Sequence, residues 1–275
     1  MRAALFQART GVDPAASVAA LEAAVAAARD QGAEMLFTPE MTNILDRDRA
    51  RAAISVVPEA QDRVLAAARE AAARAGLWLH LGSLALREGD DGRLVNRAFV
   101  IDGTGAIRAR YDKIHLFDVD LADGARWRES ASYRPGGQPV AVDTPWGRLG
   151  LSICYDLRFP DLFRALSDAG ATMLAIPAAF TAATGAAHWH VLQRARAIEA
   201  GAYVIAAAQC GGHEDGRETY GHSLIVDPWG KILLDMGDAI GVRTVEIDLA
   251  RVAEARARIP AIHNRRAIGP VEVAA

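Results

Sequence analysis

The chain is poor in cysteine and has no excess of basic residues. Its 275 residues include two cysteines, and 31 Lys and Arg stand against 34 Asp and Glu, which gives a formal net charge of -3. Two cysteines do not make a disulfide scaffold and fit a reducing compartment. Nucleic-acid binding needs a basic surface that neutralises phosphates, and the composition provides none. We therefore predict a cytoplasmic protein that does not bind nucleic acid.

Long hydrophobic runs are also missing. No uninterrupted apolar stretch approaches the ~18 residues of a membrane-spanning helix, and the apolar start of the chain is interrupted by Gln7 and Arg9, too soon for a signal peptide. No linker rich in Pro, Ser or Gly divides the sequence. We expect no membrane partner and one domain over residues 1–258, followed by a tail over residues 259–275 that packs on the domain or on a partner subunit.

Apolar runs with strand character alternate with helical segments of ten or more residues, which is typical of α/β layers. Strands are predicted at residues 3–7, 35–38 and 77–82, with a helix from Asp13-Pro14 and a mostly helical stretch over 49–74. Residues 98–110 and 224–236 each read as strand, turn, strand, which suggests two similar halves. Strands of the second half are predicted at residues 173–176, 202–208, 222–226 and 243–247.

Cys154 lies between an apolar run over 149–153 and a helical segment over 159–169. A side chain at the carboxyl end of a strand points into the crevice where open α/β sheets bind ligands. The start of a helix is also expected to favour the thiolate. Free cysteines are commonly just small buried hydrophobes, so the neighbouring motifs decide between a nucleophile and a core residue.

Two other reactive groups follow apolar strands. Glu40 stands in Thr-Pro-Glu-Met and Lys113 in Tyr-Asp-Lys-Ile-His-Leu-Phe. Singly, such charges are usually solvated at the surface. With Cys154 they would supply a base, a cation and a nucleophile.

The chain resembles the nitrilase superfamily of carbon-nitrogen hydrolases. Glu40, Lys113 and Cys154 look like its Glu-Lys-Cys triad, and Glu129 in Arg-Glu-Ser matches a second glutamate motif. The resemblance implies a four-layer α-β-β-α sandwich, no cofactor, and a homodimer or larger homo-oligomer. Further matching motifs follow in the expected order: Pro177-Ala178-Ala179-Phe180, Thr184-Gly185-Ala186-Ala187-His188-Trp189, Gln193-Arg194-Ala195-Arg196-Ala197-Ile198-Glu199, Tyr220-Gly221-His222-Ser223 and Asp227-Pro228-Trp229-Gly230.

The resemblance also implies roles for these residues. Cys154 would attack an amide carbonyl to form a thioester, with Glu40 as the base. Lys113 and the backbone N–H of Tyr155 would stabilise the oxyanion, and Lys113 would lower the thiol pKa. Glu129 would orient Lys113.

Three residues are predicted to bind substrate. Arg158 follows the nucleophile by four positions, and its guanidinium could grip a carboxylate with two parallel hydrogen bonds; alternatively it pairs with Asp156 or Asp161. Phe180 and Thr181 follow the strand at 173–176 and should line the same opening; the alternative for Phe180 is a place in the core. The loops over 121–137 and 211–220 are expected to shape the pocket.

No metal site is predicted. His188 and His190 are two positions apart on a predicted helix, so they do not share a face, and no partner stands at ligand spacing in the sequence.

The predicted function is that of a thiol-dependent amidase acting on a small carboxylate-bearing substrate. Within the superfamily the chain resembles the branch of deaminated glutathione amidase, with the ω-amidases as neighbours. Nitrilase or N-carbamoyl amino acid amidohydrolase activity uses the same triad and stays open. A Cys-His hydrolase with a histidine base, and a non-catalytic scaffold of the same fold, are the alternatives from other classes.

Overall fold

The structure is a computed structural model that describes residues 1–89, 92–120 and 126–274. Strands and helices alternate through most of it. The helices are α1 (Pro14–Asp30), α2 (Arg49–Ser55), α3 (Arg63–Ala75), α4 (Pro160–Asp168), α5 (Ala182–Ala200) and α6 (Ala250–Arg258). The strands are β1 (Arg2–Gln7), β2 (Met35–Phe37), β3 (Trp78–Arg87), β4 (Leu94–Ile101), β5 (Ile107–Asp112), β6 (Asp118–Asp120), β7 (Arg126–Arg128), β8 (Ala141–Thr144), β9 (Gly147–Leu151), β10 (Met173–Ala175), β11 (Tyr203–Ala206), β12 (Cys210–Gly212), β13 (Glu218–Tyr220), β14 (Leu224–Val226), β15 (Ile232–Asp235) and β16 (Gly241–Glu246).

Two six-stranded mixed sheets form the centre of the molecule. The first has the order β16-β1-β2-β3-β4-β5 and the second the order β15-β14-β11-β10-β9-β8, while β6-β7 and β12-β13 are two-stranded ribbons. One prediction is wrong: the strand expected at 243–247 in the second half is β16, which pairs antiparallel with β1 in the first sheet. The end of the second half therefore completes the edge of the first sheet.

Alternate residues of the first sheet face two different apolar layers, as the two-residue period of a strand requires. Ala4 and Leu36 pack with residues of α1 and α3. Leu5 and Phe37, one position further, pack with residues of the second sheet. Helices α4 and α5 cover the other face of that second sheet, with Trp189 buried in the same core. The predicted four-layer α-β-β-α sandwich is confirmed.

Local chemistry explains where the helices begin and end. The Asp13 side chain accepts a hydrogen bond from the backbone N–H of Ala15, and Pro14 fills the first turn of α1. The stretch predicted as mostly helical over 49–74 is divided near Pro58: α2 ends at Ser55, and α3 starts only after Asp62, whose side chain caps it. Proline excludes the residue before it from the helical region, which accounts for the break.

The segment after α6 contains no further helix or strand over residues 259–274. Ile268, Val271 and Val273 are exposed, and Arg265 contacts Asp168 at the end of α4. That this tail forms a separate unit, and what it packs on, stay predictions. In the part of the chain that is described, no helix is both long enough and apolar enough to cross a membrane.

Candidate active site

Cys154 occupies a strained turn directly after β9. Its φ is +49°, in the left-handed region that side chains other than glycine rarely adopt. The turn opens a 3₁₀ helix over Cys154–Arg158. The Cys154 backbone N–H donates to the carbonyl of Pro177 at 2.8 Å, which ties the turn to the segment that follows β10. Strain of this kind persists only when the surroundings fix it, and it is often found at active sites.

Asp156 supplies much of that fixation. It is fully buried, and its carboxylate accepts hydrogen bonds from the Ile153 N–H at 2.9 Å and the Tyr111 hydroxyl at 2.6 Å. It also accepts from the His115 backbone N–H at 3.0 Å and lies 2.7 Å from His115 Nδ1. The nucleophile turn of the second sheet is thereby joined to the end of β5 in the first.

Glu40 follows β2 and is 4% exposed. Its Oε1 accepts hydrogen bonds from Lys113 Nζ and Asn96 Nδ2, both at 2.9 Å. Its Oε2 accepts from the backbone N–H of Ala179 at 2.8 Å. A hydrogen bond with the Cys154 thiol places the carboxylate directly beside the sulfur.

Lys113 follows β5 and is also buried, with 2% exposed. Besides Glu40, its ammonium contacts both oxygens of Glu129, at 3.1 and 2.9 Å. Glu129 is itself positioned by the Phe117 N–H at 2.6 Å and by Asn96 Nδ2 at 3.3 Å. The structure thus brings the four residues together: Lys113 pairs with both Glu40 and Glu129, and Glu40 contacts Cys154.

The electrostatics of this cluster set its resting protonation. Burial raises the pKa of Glu40, but the charge and hydrogen bond of Lys113, with hydrogen bonds from Cys154 and Ala179, outweigh it, so the pKa lies below its ordinary value. Burial opposes the charge of Lys113, yet Glu129 and Glu40 raise its pKa well above 10.5.

Lys113 lowers the pKa of the Cys154 thiol, as expected, but its effect does not decide the resting state of that thiol. Burial and the neighbouring Glu40 carboxylate raise the pKa of Cys154 well above its ordinary value, and the opposing effect of Lys113 is smaller. The resting cluster is a carboxylate, an ammonium and a neutral thiol. A proton must therefore leave the sulfur during the reaction, and Glu40 is the adjacent acceptor.

These groups line a cavity of about 690 Å³. Tyr155, Phe180 and Thr181 line it as well. Arg158 is not among its lining residues; its guanidinium lies 5.2 Å from the Phe180 ring and 3.4 Å from His188 Nδ1. Neither Asp156 nor Asp161 pairs with it among the described residues. The assignment of Arg158 to substrate binding stays a prediction.

Both loops expected to shape the pocket contribute to the described lining, which includes Trp127 and Arg217. Residues 121–125 of the first loop lie outside the described residues.

Sequence reasoning missed several neighbours. Asp156 was considered only as a partner of Arg158, and Asn96, which donates to both Glu40 and Glu129, was not singled out. The direction in which each of these two side chains points depends on how the two sheets of the sandwich pack together. A polar residue inside the apolar strand β4 was the available signal for Asn96, since buried amides need partners.

A second cluster of polar side chains surrounds His190. Contrary to expectation, His190 has neighbours there that are suited to metal binding. His190 Nε2 and His222 Nδ1 each lie 2.9 Å from the Asp235 carboxylate, and one ligand atom from each residue falls within 4.8 Å of the others. The three residues come from α5, from the segment before β14 and from β15, so spacing along the chain could not bring them together.

An α-β-β-α sandwich that buries a glutamate, a lysine and a cysteine at one cavity defines the class of thiol-dependent carbon-nitrogen hydrolases. The chain belongs to the carbon-nitrogen hydrolase family, which it matches over residues 2–257. It is a hydrolase of carbon-nitrogen bonds other than peptide bonds.

Known proteins resemble the chain in sequence and in fold. It is 47% identical over 201 residues to a deaminated glutathione amidase of Yersinia enterocolitica, covering 72% of this chain and 70% of that protein. The crystal structure of the C. elegans NitFhit protein has 37% identity and a TM-score of 0.89, covering 96% of this chain; the chain spans 65% of that longer protein. A mutant amidase from Nesterenkonia sp. AN1, with 28% identity, a TM-score of 0.82 and coverage of 97% and 94%, carries the acetamide moiety of fluoroacetamide on its active-site cysteine.

Proposed function

We propose that the protein hydrolyses the amide of a small carboxylate-bearing acid through a thioester on Cys154, with deaminated glutathione as the preferred substrate. The observation that carries the proposal is the buried contact of Glu40 with both Lys113 and the Cys154 thiol. All three residues line one cavity, which supports their roles as base, cation and nucleophile.

In the first half of the reaction, Cys154 Sγ attacks the amide carbonyl carbon while Glu40 takes the thiol proton. The carbon-nitrogen bond then breaks, and Glu40 passes that proton to the departing nitrogen. The leaving group is an amine or, for a primary amide, ammonia. The acyl group remains on the sulfur as a thioester.

The negative charge that develops on the carbonyl oxygen needs donors fixed in advance. Lys113 would place its ammonium beside that oxygen, held in position by Glu129, and the backbone N–H of Tyr155 would be the second donor. Losing one such donor typically costs on the order of a hundredfold in rate. Because the site is buried, these interactions act in a low dielectric, where they are stronger than in water.

In the second half, Glu40 takes a proton from a water molecule, which attacks the thioester. The carbon-sulfur bond breaks, the product leaves as a carboxylic acid, and the proton returns to the sulfur. Every proton therefore passes through the one carboxylate that contacts the nucleophile.

The substrate class is supported by the cavity and by the relatives. A cavity of about 690 Å³ falls within the range of roughly 300–1,000 Å³ typical of small-ligand sites. It accommodates a peptide-like acid, and the similarity to deaminated glutathione amidase points to the substrate named by that relative. We also propose that the protein forms a homo-oligomer. Its partner in catalysis is the small-molecule amide substrate.

The test is a comparison of kcat/KM for deaminated glutathione and for α-ketoglutaramate, with Cys154→Ala as the blank. We expect the larger value for deaminated glutathione. The reverse order would make the protein an ω-amidase, and turnover of a simple nitrile at the rate of the better amide would replace both assignments.

The identity of the base is tested by Glu40→Gln against His115→Asn. Loss of a general base typically lowers the rate by 10²–10⁴, so we expect a decrease of about that size for Glu40→Gln. His115 stands two positions after Lys113 in the sequence, but its Nδ1 faces Asp156 and its ring stacks on Phe159 with centroids 3.6 Å apart. Full turnover by Glu40→Gln would support the Cys-His reading instead.

A further inference from the structure

One region of the cavity is built from arginine and tryptophan rather than from catalytic groups. The guanidinium carbons of Arg47 and Arg217 lie 5.2 and 5.3 Å from the centroid of the Trp127 ring. All three residues line the same cavity as Cys154. They come from the segment after β2, from the β12-β13 ribbon and from β7, so three separate parts of the chain converge here.

A buried aspartate holds this cluster in place. The Asp215 side chain is fully buried, and its Oδ2 accepts a hydrogen bond from Arg217 Nε at 2.8 Å and forms an ion pair with Arg217 Nη2 at 2.7 Å. Arg47 Nε lies 3.9 Å from the same oxygen. Among the described residues, the terminal nitrogens of Arg47 and Nη1 of Arg217 have no hydrogen-bond acceptor. Two guanidinium groups share one carboxylate, which leaves one net positive charge and several unused donors.

We propose that Arg47, Arg217 and Trp127 form a carboxylate-binding subsite that holds the end of the substrate remote from the amide carbonyl. A carboxylate there would accept hydrogen bonds from both guanidinium groups, a strong charge-assisted interaction. The Trp127 indole, which lies close to both guanidinium groups, would shield these bonds from water. The inference rests on the proposed function and narrows its substrate class to amides with a second, distal carboxylate.

The charge of the cavity agrees with this subsite. The chain as a whole has a net charge of -3, whereas seven Arg and Lys side chains and four Asp and Glu side chains line the cavity. Lys113 is neutralised by Glu40 and Glu129, so the excess positive charge is on the arginines. A locally positive cavity on a negative protein attracts an acidic ligand.

The experiment measures binding, so that it does not depend on turnover. Calorimetric titration of the Cys154→Ala variant uses deaminated glutathione and its analogue in which the terminal glycine carboxylate is a carboxamide. We expect the carboxylate ligand to bind about tenfold more tightly than the carboxamide. Adding Arg217→Gln or Arg47→Gln should weaken binding of the carboxylate about tenfold and remove most of that preference, while binding of the carboxamide changes little.

Arg148→Gln is the matched control, because Arg148 also pairs with an aspartate, Asp143, at 2.8 Å, and neither residue lines the cavity. It should leave both affinities unchanged. Equal weakening of both ligands by Arg217→Gln, or no preference in the parent, would overturn the subsite.

The proposed function can fail separately. Binding with the expected charge preference, combined with no hydrolysis by the wild-type protein, would retain the subsite and discard deaminated glutathione as substrate. If neither ligand binds, both proposals are wrong.

Discussion

At the scale of single residues, Asp156 determines where the nucleophile stands. One buried carboxylate accepts hydrogen bonds from Ile153, Tyr111 and His115, and Ile153 immediately precedes the strained Cys154. It is a positioning residue, because it acts on the reacting sulfur through the backbone.

We expect Asp156→Asn to lower the free energy of unfolding by about 3 kcal/mol, since an amide presents a donor to groups that need an acceptor. Turnover should fall as well, because the φ of Cys154 is then less firmly held. Urea unfolding and kcat measure the two effects. Asp161→Asn, at the exposed first turn of α4, is the control and should change neither by much; an unaltered kcat in Asp156→Asn would contradict the positioning role.

The buried side chain of His80 makes the stability of the fold depend on pH. It lies inside β3 with its ring 5.6 Å from that of Phe37, and burial lowers its pKa to about 3. Between pH 6.5 and 3 the unfolded chain binds a proton at this residue and the folded protein does not, so stability falls as the pH falls.

Removing the imidazole should therefore reduce the amount by which the free energy of unfolding falls at acid pH. From pH 7 to pH 5 the histidine accounts for a loss of about 2 kcal/mol, and His80→Phe should reduce the measured loss by about that amount. Urea unfolding at pH 7 and pH 5 tests this. His263→Phe, at an exposed position, is the control, and an identical acid loss in His80→Phe and wild type would show that another group causes it.

The reactive residues could be predicted from the sequence, whereas the residues that surround them could not. Cys154, Glu40 and Lys113 each follow a predicted strand, but β9 belongs to the second sheet and β2 and β5 belong to the first. Their meeting was therefore predictable only from the resemblance to the Glu-Lys-Cys triad. Asp156 was ambiguous because a turn can aim its side chain toward Arg158 or inward. The inward direction depends on donors at residues 111 and 115, which belong to the other sheet.

At the scale of elements, β3 approaches the two segments that carry the catalytic groups. A Cβ on Gly82 would lie 2.0 Å from the carbonyl oxygen of Thr38, 2.5 Å from that of Pro39 and 2.6 Å from Pro177 Cβ. The first two precede Glu40, and the Pro177 carbonyl accepts the Cys154 N–H. Glycine is needed here for the close approach of backbones, since its φ is not left-handed.

Gly82→Ala should separate these segments. Overpacking typically costs about 1–3 kcal/mol, and here the clash is with backbone, so we expect a loss at the upper end of that range and a marked fall in kcat. Gly137→Ala, where a Cβ would meet nothing within 4 Å, is the control. Unfolding in urea and amide kinetics give both quantities, and wild-type kcat in a folded Gly82→Ala protein would refute the argument.

Helices and hairpins with a clear capping or turn motif could be predicted from the sequence. The strands with which distant strands pair were harder to predict. The capped start of α1 follows from Asp13-Pro14, and the hairpin of β14 and β15 from its turn. The sheet to which β16 belongs could not be read from its sequence, because an apolar edge strand fits either sheet. Its pairing with β1 depends on how the chain returns across the whole sandwich.

At the scale of the whole molecule, one exposed apolar area stands out on the second half. Val191 and Ile198, two turns apart on α5, are 62% and 53% exposed, and Trp229 is 56% exposed. The Trp229-Gly230 turn lies against Ile198, since a Cβ on Gly230 would come within 2.7 Å of Ile198 Cδ1. A contiguous apolar area of this kind is typical of a subunit interface.

We expect this area to join two copies of the chain. Sedimentation velocity should give a dimer or larger species of the 29.3 kDa chain, and Ile198→Arg should shift it toward the monomer, because a charge would then be buried without a partner. Circular dichroism must show that the variant remains folded. Ile54→Arg, an equally nonconservative change at an 83% exposed position on α2 in the first half, should leave the assembly intact. A wild-type monomer at tens of micromolar, or an Ile198→Arg protein that sediments like wild type, would place the interface elsewhere or remove it, and the exposed apolar tail over 259–274 would then be the next surface to test.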